Sequence, residues 1–318
     1  MRLNILFLIS IIFSQESFQP NNNIDFQKAL SFEKSGKIQE AILTYKKILK
    51  INPNHQPAFF QLKNLFINNN DNIAGIQLLG KWIDSNPKDL QSTLLLSELY
   101  FRNNQKENSE AIWSHFESNN LTNKTTYRLL FYTYTKFGQV NRMENLALKG
   151  RKELNEPYLF AIDLANYFQA RQTYDRALKE YIVLINYQKQ YNQFVTDRIL
   201  IMSDDESSHS MIESALKTTS KSINEAKIIL AAFYFKTGRY SESYDQNTKI
   251  TTSNQNDIKR WINFASNLRK EKQYDISIKA YHYLLQNYSV TNPNILGDAL
   301  LGLGESYESQ INESLRHP

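Results

Sequence analysis

Five histidines are the side chains best suited to proton transfer near neutral pH, and each stands alone: His55, His115, His209, His282 and His317. No two have the spacing that sets a pair of imidazoles on one helical face around a metal. Each is therefore expected to be an exposed or loop residue. Asp204, Asp205 and Glu206 gather carboxylates, yet they lack the alternation and central glycine of a calcium loop and read as a solvated acidic loop. No cysteine occurs, which excludes a disulfide framework, a thiolate metal site, a Cys nucleophile and the lipid-bearing Cys of a bacterial lipoprotein. The chain has no Gly-x-Ser-x-Gly elbow, and its scattered glycines form no phosphate loop. Asn120, Asn123, Asn287 and Asn312 head glycosylation triplets, which arise by chance in a chain so rich in Asn. These residues point away from catalysis. No enzyme activity, cofactor or metal is expected, and the question becomes what the elements of the chain could hold.

Apolar residues make up 41% and charged residues 22%, the balance of a folded chain. Nine Gly and seven Pro in 318 residues are too few for a sandwich or barrel with many tight turns. The 13% aromatic content, mostly Tyr and Phe, suits helices that pack large side chains against one another. A net charge of +5 tilts the expected partner toward acidic, but Lys and Arg are evenly spread, with no stripe for nucleic acid. Arg2, the apolar run Ile5–Phe13 and the Ser14-Gln15 step have the form of a secretory signal peptide over 1–14, with 15–21 as a short linker. A buried N-terminal helix is the competing reading. The run is shorter than the roughly 20 residues a membrane span needs, and no second such stretch follows. An exported protein, periplasmic or secreted and of a bacterial host, is expected, with no membrane span after signal cleavage.

The strongest signal is a period of 34 residues. Phe32, Phe66, Tyr100, Tyr134 and Phe168 keep that step, as do Leu62, Leu96, Leu130 and Leu164. Pro53 and Pro87 repeat it once. Gly36, Asn70, Asn104 and Gly138 also fall on it, and these types tolerate the left-handed backbone that ends a helix. Around these marks stand Ala41 and Tyr45 in the first repeat, and Leu164, Ala165, Phe168, Ala177 and Tyr181 in the fifth. The seventh has Leu230, Ala231, Tyr234 and Gly238, the eighth Trp261, Ala265 and Tyr281, and a ninth partial repeat Leu303, Gly304 and Tyr307.

This alternation of aromatic, Leu and small residues resembles the tetratricopeptide repeat. The resemblance implies an all-α fold, an α-α superhelix of about eight helix hairpins and a terminal helix, in which only the stack buries each hairpin's apolar face. Some positions depart from the pattern. Lys63, Phe131 and Met143 stand where small residues are expected. Between 191 and 222 the match nearly fails and the register slips, since Gly138 to Gly238 is 100 residues and not 102. The expected organisation is therefore a first sub-array over 22–190, a degenerate joint over 191–222, and a second sub-array with a C-terminal helix over 223–318. Gln310–Arg316 is amphipathic enough to close the array with a polar outer face.

In proteins of this kind the first helix of each hairpin lines the concave face, where peptides bind. The resemblance thereby places Lys34, Phe60, Asn64, Glu98, Phe101, Arg102, Arg128, Tyr132, Lys136, Ile162, Asn166 and Gln169 on that face, with Phe235, Lys236, Arg269 and Lys270 beyond the joint. Phe101, Arg102, Arg128, Tyr132, Lys136, Asn166 and Gln169 form the expected partner surface, because Arg and Tyr offer large area and directional donors. The Lys and Asn that clamp a terminal carboxylate in one subset of the family are absent, since Phe26 and Leu30 hold the corresponding turns. The leading expectation is an exported, non-catalytic scaffold that binds a protein or peptide. Three alternatives stay open: an accessory region of a larger enzyme or assembly factor, a helical-repeat RNA binder, and a homo-oligomer.

Overall fold

The computed structural model describes residues 22–250, 255–288 and 293–316; the expected signal peptide and linker lie outside them. Among the described residues the structure is all α-helical, with two one-turn 3₁₀ segments and no strand. The helices are α1 (Asn22–Lys34), α2 (Ile38–Ile51), α3 (Gln56–Asn68), α4 (Asn72–Ser85), α5 (Leu90–Arg102), α6 (Lys106–Asn119), α7 (Lys124–Lys136), α8 (Val140–Glu153), α9 (Ala161–Gln169), α10 (Tyr174–Tyr187), α11 (Asn192–Met202), α12 (His209–Thr219), α13 (Asn224–Lys236), α14 (Tyr240–Thr248), α15 (Gln255–Lys270), α16 (Tyr274–Asn287) and α17 (Pro293–Arg316). None is long and apolar enough to cross a membrane. The chain forms two compact units, one ending at Gln139 and the other beginning at Val140.

The period has a backbone cause. Gly36, Asn70, Asn104, Gly138, Gln172, Gly238 and Lys272 all have φ between 56° and 75°, and each closes the first helix of a hairpin. The following residue donates its N–H across the turn, as in Lys37 to Phe32 O (2.9 Å), Asp71 to Phe66 O (2.8 Å) and Arg239 to Tyr234 O (2.8 Å). This is the six-to-one bond of a Schellman turn. The periodic aromatic therefore marks the carbonyl that receives the bond, and its ring packs inward at the same step. Gln172 and Lys272 keep the conformation without Gly or Asn, so composition alone does not reveal them. The opposite helix ends are fixed by side chains also 34 apart. His55, Asp89 and Asn123 accept from the N–H groups of Ala58, Ser92 and Thr126, the bonds of an N-cap.

Small residues set the approach within a hairpin. Ala41, Ala165, Ala177 and Ala265 are fully buried. Where the second helix carries Ser instead, its hydroxyl donates to the first helix's backbone: Ser109 to Ser97 O (2.6 Å), Ser243 to Ala231 O (2.8 Å) and Ser277 to Ala265 O (2.7 Å). The hairpin α3/α4 departs from this plan. Lys63 occupies the close-approach position, with its Nζ 4.6 Å from the Phe60 ring centroid, and burial lowers its pKa. A Cβ on Gly75 would lie 2.6 Å from Leu99 Cδ1. The missing side chain thus lets α4 sit tightly on α5, while α3 and α4 pack more loosely than α1/α2, α5/α6, α9/α10, α13/α14 and α15/α16.

The degenerate segment lies inside the second unit. Here α11 packs on α10 and α13, and α12 on α13 and α10, instead of closely on each other. No left-handed residue closes the turn between them. Ser208 Oγ donates to Met202 O (2.8 Å), and the His209 ring nitrogen lies 2.8 Å from Ser203 O. Glu213 of α12 ties the segment onward. It meets Arg239 at 2.6 Å, Lys217 at 2.7 Å and the Tyr234 hydroxyl at 3.0 Å.

At the end of the second unit, the buried small residues of α17 are Ala299, Gly302 and Ser306. A Cβ on Gly302 would come within 2.2 Å of Tyr281 Oη. Of the residues expected to mark this repeat, Leu303 is half-buried, while Gly304 and Tyr307 are exposed. The expected polar outer face is mixed: Glu308, Asn312 and Ser314 are exposed, and an apolar stripe runs beside them. Leu300, Tyr307, Ile311 and Leu315 are exposed on a helical stripe.

Candidate functional site

A recess of the second unit, about 630 Å³, opens where the first helices α11, α13 and α15 lie side by side. Each contributes one face at three- and four-residue steps. Phe235 and Phe264, with ring centroids 6.0 Å apart, form an apolar floor together with Ile228 and Leu200. Asn256, Asn263 and Asn267 of α15 stand over that floor, all exposed, and their carboxamides have no hydrogen-bond partner among the described residues. Lys259 beside them is exposed. Lys236 at the rim meets Asp204 at 2.7 Å.

Beneath this stripe lies a buried polar cluster. Arg260 donates from Nη1 to Asn247 Oδ1, and its Nη2 lies 3.6 Å from the carboxylate of Asp257, which is 1% exposed. Burial lowers the guanidinium's pKa. Both Asp257 oxygens and Arg260 Nε have no hydrogen-bond partner among the described residues, an arrangement that costs free energy in a packed interior.

The structure distributes the seven expected partner residues unequally. Arg128 and Tyr132 lie one turn apart on α7, both exposed, and Arg102 is exposed at the end of α5; no ion pair engages either arginine among the described residues. Lys136 pairs with Glu98 of α5. Phe101 is half-buried, with ring centroids 4.6 Å from Phe137 and 5.7 Å from Trp113; it packs two elements together. In the second unit Gln169 is occupied internally. It accepts from the buried Tyr181 hydroxyl and donates to Arg198 O at 3.2 Å. Asn166 is exposed beside it, 3.4 Å from the same hydroxyl. Beyond the joint, Phe235 and Lys236 do line the recess, whereas Arg269 is held by Glu305 of α17 at 2.7 Å. Sequence reasoning missed the asparagines of α15. Their signal, polar residues at 256, 260, 263 and 267, is hidden by the abundance of Asn elsewhere.

Among the described residues no group of three His, Asp or Glu side chains could hold a metal ion. His55 caps α3, His209 closes the joint, and His282 bonds the Tyr307 hydroxyl at 2.9 Å.

Comparison with known proteins agrees with this architecture. The tetratricopeptide repeat family profile matches residues 25–55, the first hairpin. No curated protein matches the chain by sequence. Among solved structures, the Naa15/Naa10 complex bound to HypK-THB is 16% identical with a TM-score of 0.42; the match covers 90% of this chain and 45% of that one. A tetratricopeptide repeat protein from Parabacteroides merdae is 9% identical with a TM-score of 0.39, over 89% and 98% of the two chains. A human IFIT1 dimer with m7Gppp-AAAA is 14% identical with a TM-score of 0.29, over 93% and 70%. This chain thus spans less than half the length of the Naa15/Naa10 chain it matches. Likenesses at this level carry nothing about partners or activity. The class the fold defines is an all-α array of tetratricopeptide-like hairpins.

Proposed function

We propose that the chain is an exported, non-catalytic scaffold that holds an extended segment of a partner protein in the recess of α11, α13 and α15. The observation that carries this reading is the set of three unengaged carboxamides, Asn256, Asn263 and Asn267, above a floor of Phe235 and Phe264. A carboxamide offers both a donor and an acceptor, so it can pair with a peptide group whatever side chain the peptide carries. An extended peptide turns alternate side chains to opposite faces, and the aromatic floor suits the inward set. Lys259 favours an acidic segment. In the first unit Arg102, Arg128 and Tyr132 offer a second contact area of the same preference.

Export rests on the signal-like run Ile5–Phe13. It is tested by sequencing the N-terminus of the protein from its host: a chain beginning near Gln15 outside the cytoplasm is expected, and an intact cytoplasmic chain overturns it. The groove is tested by screening a peptide array and measuring the retained peptides by calorimetry. Asn263→Ala with Asn267→Ala is expected to weaken them by about tenfold, equivalent to about 1.4 kcal/mol, with an unchanged melting temperature. Equal binding by the variant, or retention of single-stranded RNA in place of any peptide, overturns the reading.

A further inference from the structure

A second groove lies in the first unit, away from the inner-face residues. It occupies about 480 Å³ between α2 and α4, with α3 beneath. Its floor is apolar, formed by Leu49, Leu62, Phe66 and Leu78. The hairpin beside it carries two unusual residues: Lys63 stands at the close-approach position of α3, and a Cβ on Gly75 of α4 would lie 2.6 Å from Leu99 Cδ1 of α5.

The rim is basic. Lys46, Lys50 and Lys81 border the groove, all three are exposed, and none is paired with a carboxylate among the described residues. Lys47 of the same helix, by contrast, meets Asp25 at 3.1 Å. Lys46 and Lys50 stand one turn apart, a like-charge spacing that weakens a helix. Lys46 Nζ also lies 5.5 Å from the Phe66 ring centroid, so the cationic rim and the aromatic floor are in contact. The apolar lining continues outward: Leu43 on α2 and Ile73 on α4 are 67% and 61% exposed, on the stripes that carry Lys46 and Lys81.

We propose that this groove docks an acidic amphipathic helix of a partner protein. Apolar side chains at three- and four-residue spacing enter between α2 and α4, and flanking Asp or Glu residues meet Lys46, Lys50 and Lys81. A recess of this size accepts a few large side chains, and its floor lies below the charged rim. A flat lipid surface meets protruding residues and leaves such a floor unfilled. The site uses none of the residues assigned to the peptide recess, so either can fail without the other.

The test uses the full chain and a displayed library of helical peptides. The selected sequences, made as fluorescent peptides, are measured by anisotropy against wild type and Lys46→Glu/Lys50→Glu/Lys81→Glu. Acidic amphipathic sequences are expected to dominate and to lose at least about tenfold in affinity in the triple variant. The variant changes only exposed side chains, and its circular dichroism melt checks the fold. Leu78→Lys provides a second variant that fills the floor and is expected to give the same loss. Selection without acidic bias, or equal binding by both variants, overturns the proposal. So does binding to phosphatidylglycerol vesicles that the triple variant abolishes while peptide binding stays unchanged.

Discussion

Glu213 concentrates more charge on one side chain than any other residue of the joint. Arg239, Lys217 and the Tyr234 hydroxyl all converge on it, and hydrogen bonding from Arg239, followed by the other donors, holds its pKa at about 2. The folded carboxyl therefore releases its proton more readily than the unfolded one. Its stabilisation is fully present above the ordinary carboxylate range and is lost as pH falls toward about 2. Glu213→Gln should cost roughly 1–2 kcal/mol at neutral pH, the scale of charge-assisted bonds partly open to water. The melting temperature of the variant should also fall less steeply than that of wild type on acidification below about pH 5. Parallel slopes in the two proteins would show that the cluster contributes nothing. At this scale the sequence is a poor guide, because Glu213 and Arg239 lie in different repeats and only folding joins them.

Individual hairpins are far more legible. The left-handed turn, the aromatic whose carbonyl it bonds and the small close-approach residues all follow from local backbone geometry, so they recur at a fixed step and can be counted. The places where counting fails have physical reasons. Gln172 and Lys272 bear the strain that Gly would relieve, with φ of 56° and 59°. Accordingly Gln172→Gly should stabilise the protein by roughly 1 kcal/mol, the cost of a side chain in the left-handed region, while Gly238→Ala should destabilise it by a similar amount. Thermal melts of the two variants check the pair, and shifts of the same sign would contradict the turn assignment. Phe101 and Gln169 illustrate the other limit. Repeat register names the face on which a residue starts, but not the neighbour that captures it. Phe137 and Trp113 take the first into packing, and Tyr181 and Arg198 take the second into hydrogen bonds.

At the level of the whole molecule, α17 exposes an apolar stripe. Leu300, Tyr307, Ile311 and Leu315 are 52%, 42%, 57% and 75% exposed, a liability for association. Ile311→Lys with Leu315→Lys should leave the melting temperature nearly unchanged and lower the scattering of concentrated solutions; a rise in scattering would show the stripe to be harmless. The serine bonds of α5/α6, α13/α14 and α15/α16 have a different kind of consequence. Each works as a gauge block, setting the gap in its own hairpin through a single oxygen, and Ser277 Oγ also reaches onward, 3.0 Å from Ser306 Oγ of α17. In α5/α6 and α13/α14 the spacing is thus set within the hairpin and can be edited there. Where Gly75 holds the serine position in α4 there is no such block, and the groove between α2 and α4 lies beside that hairpin.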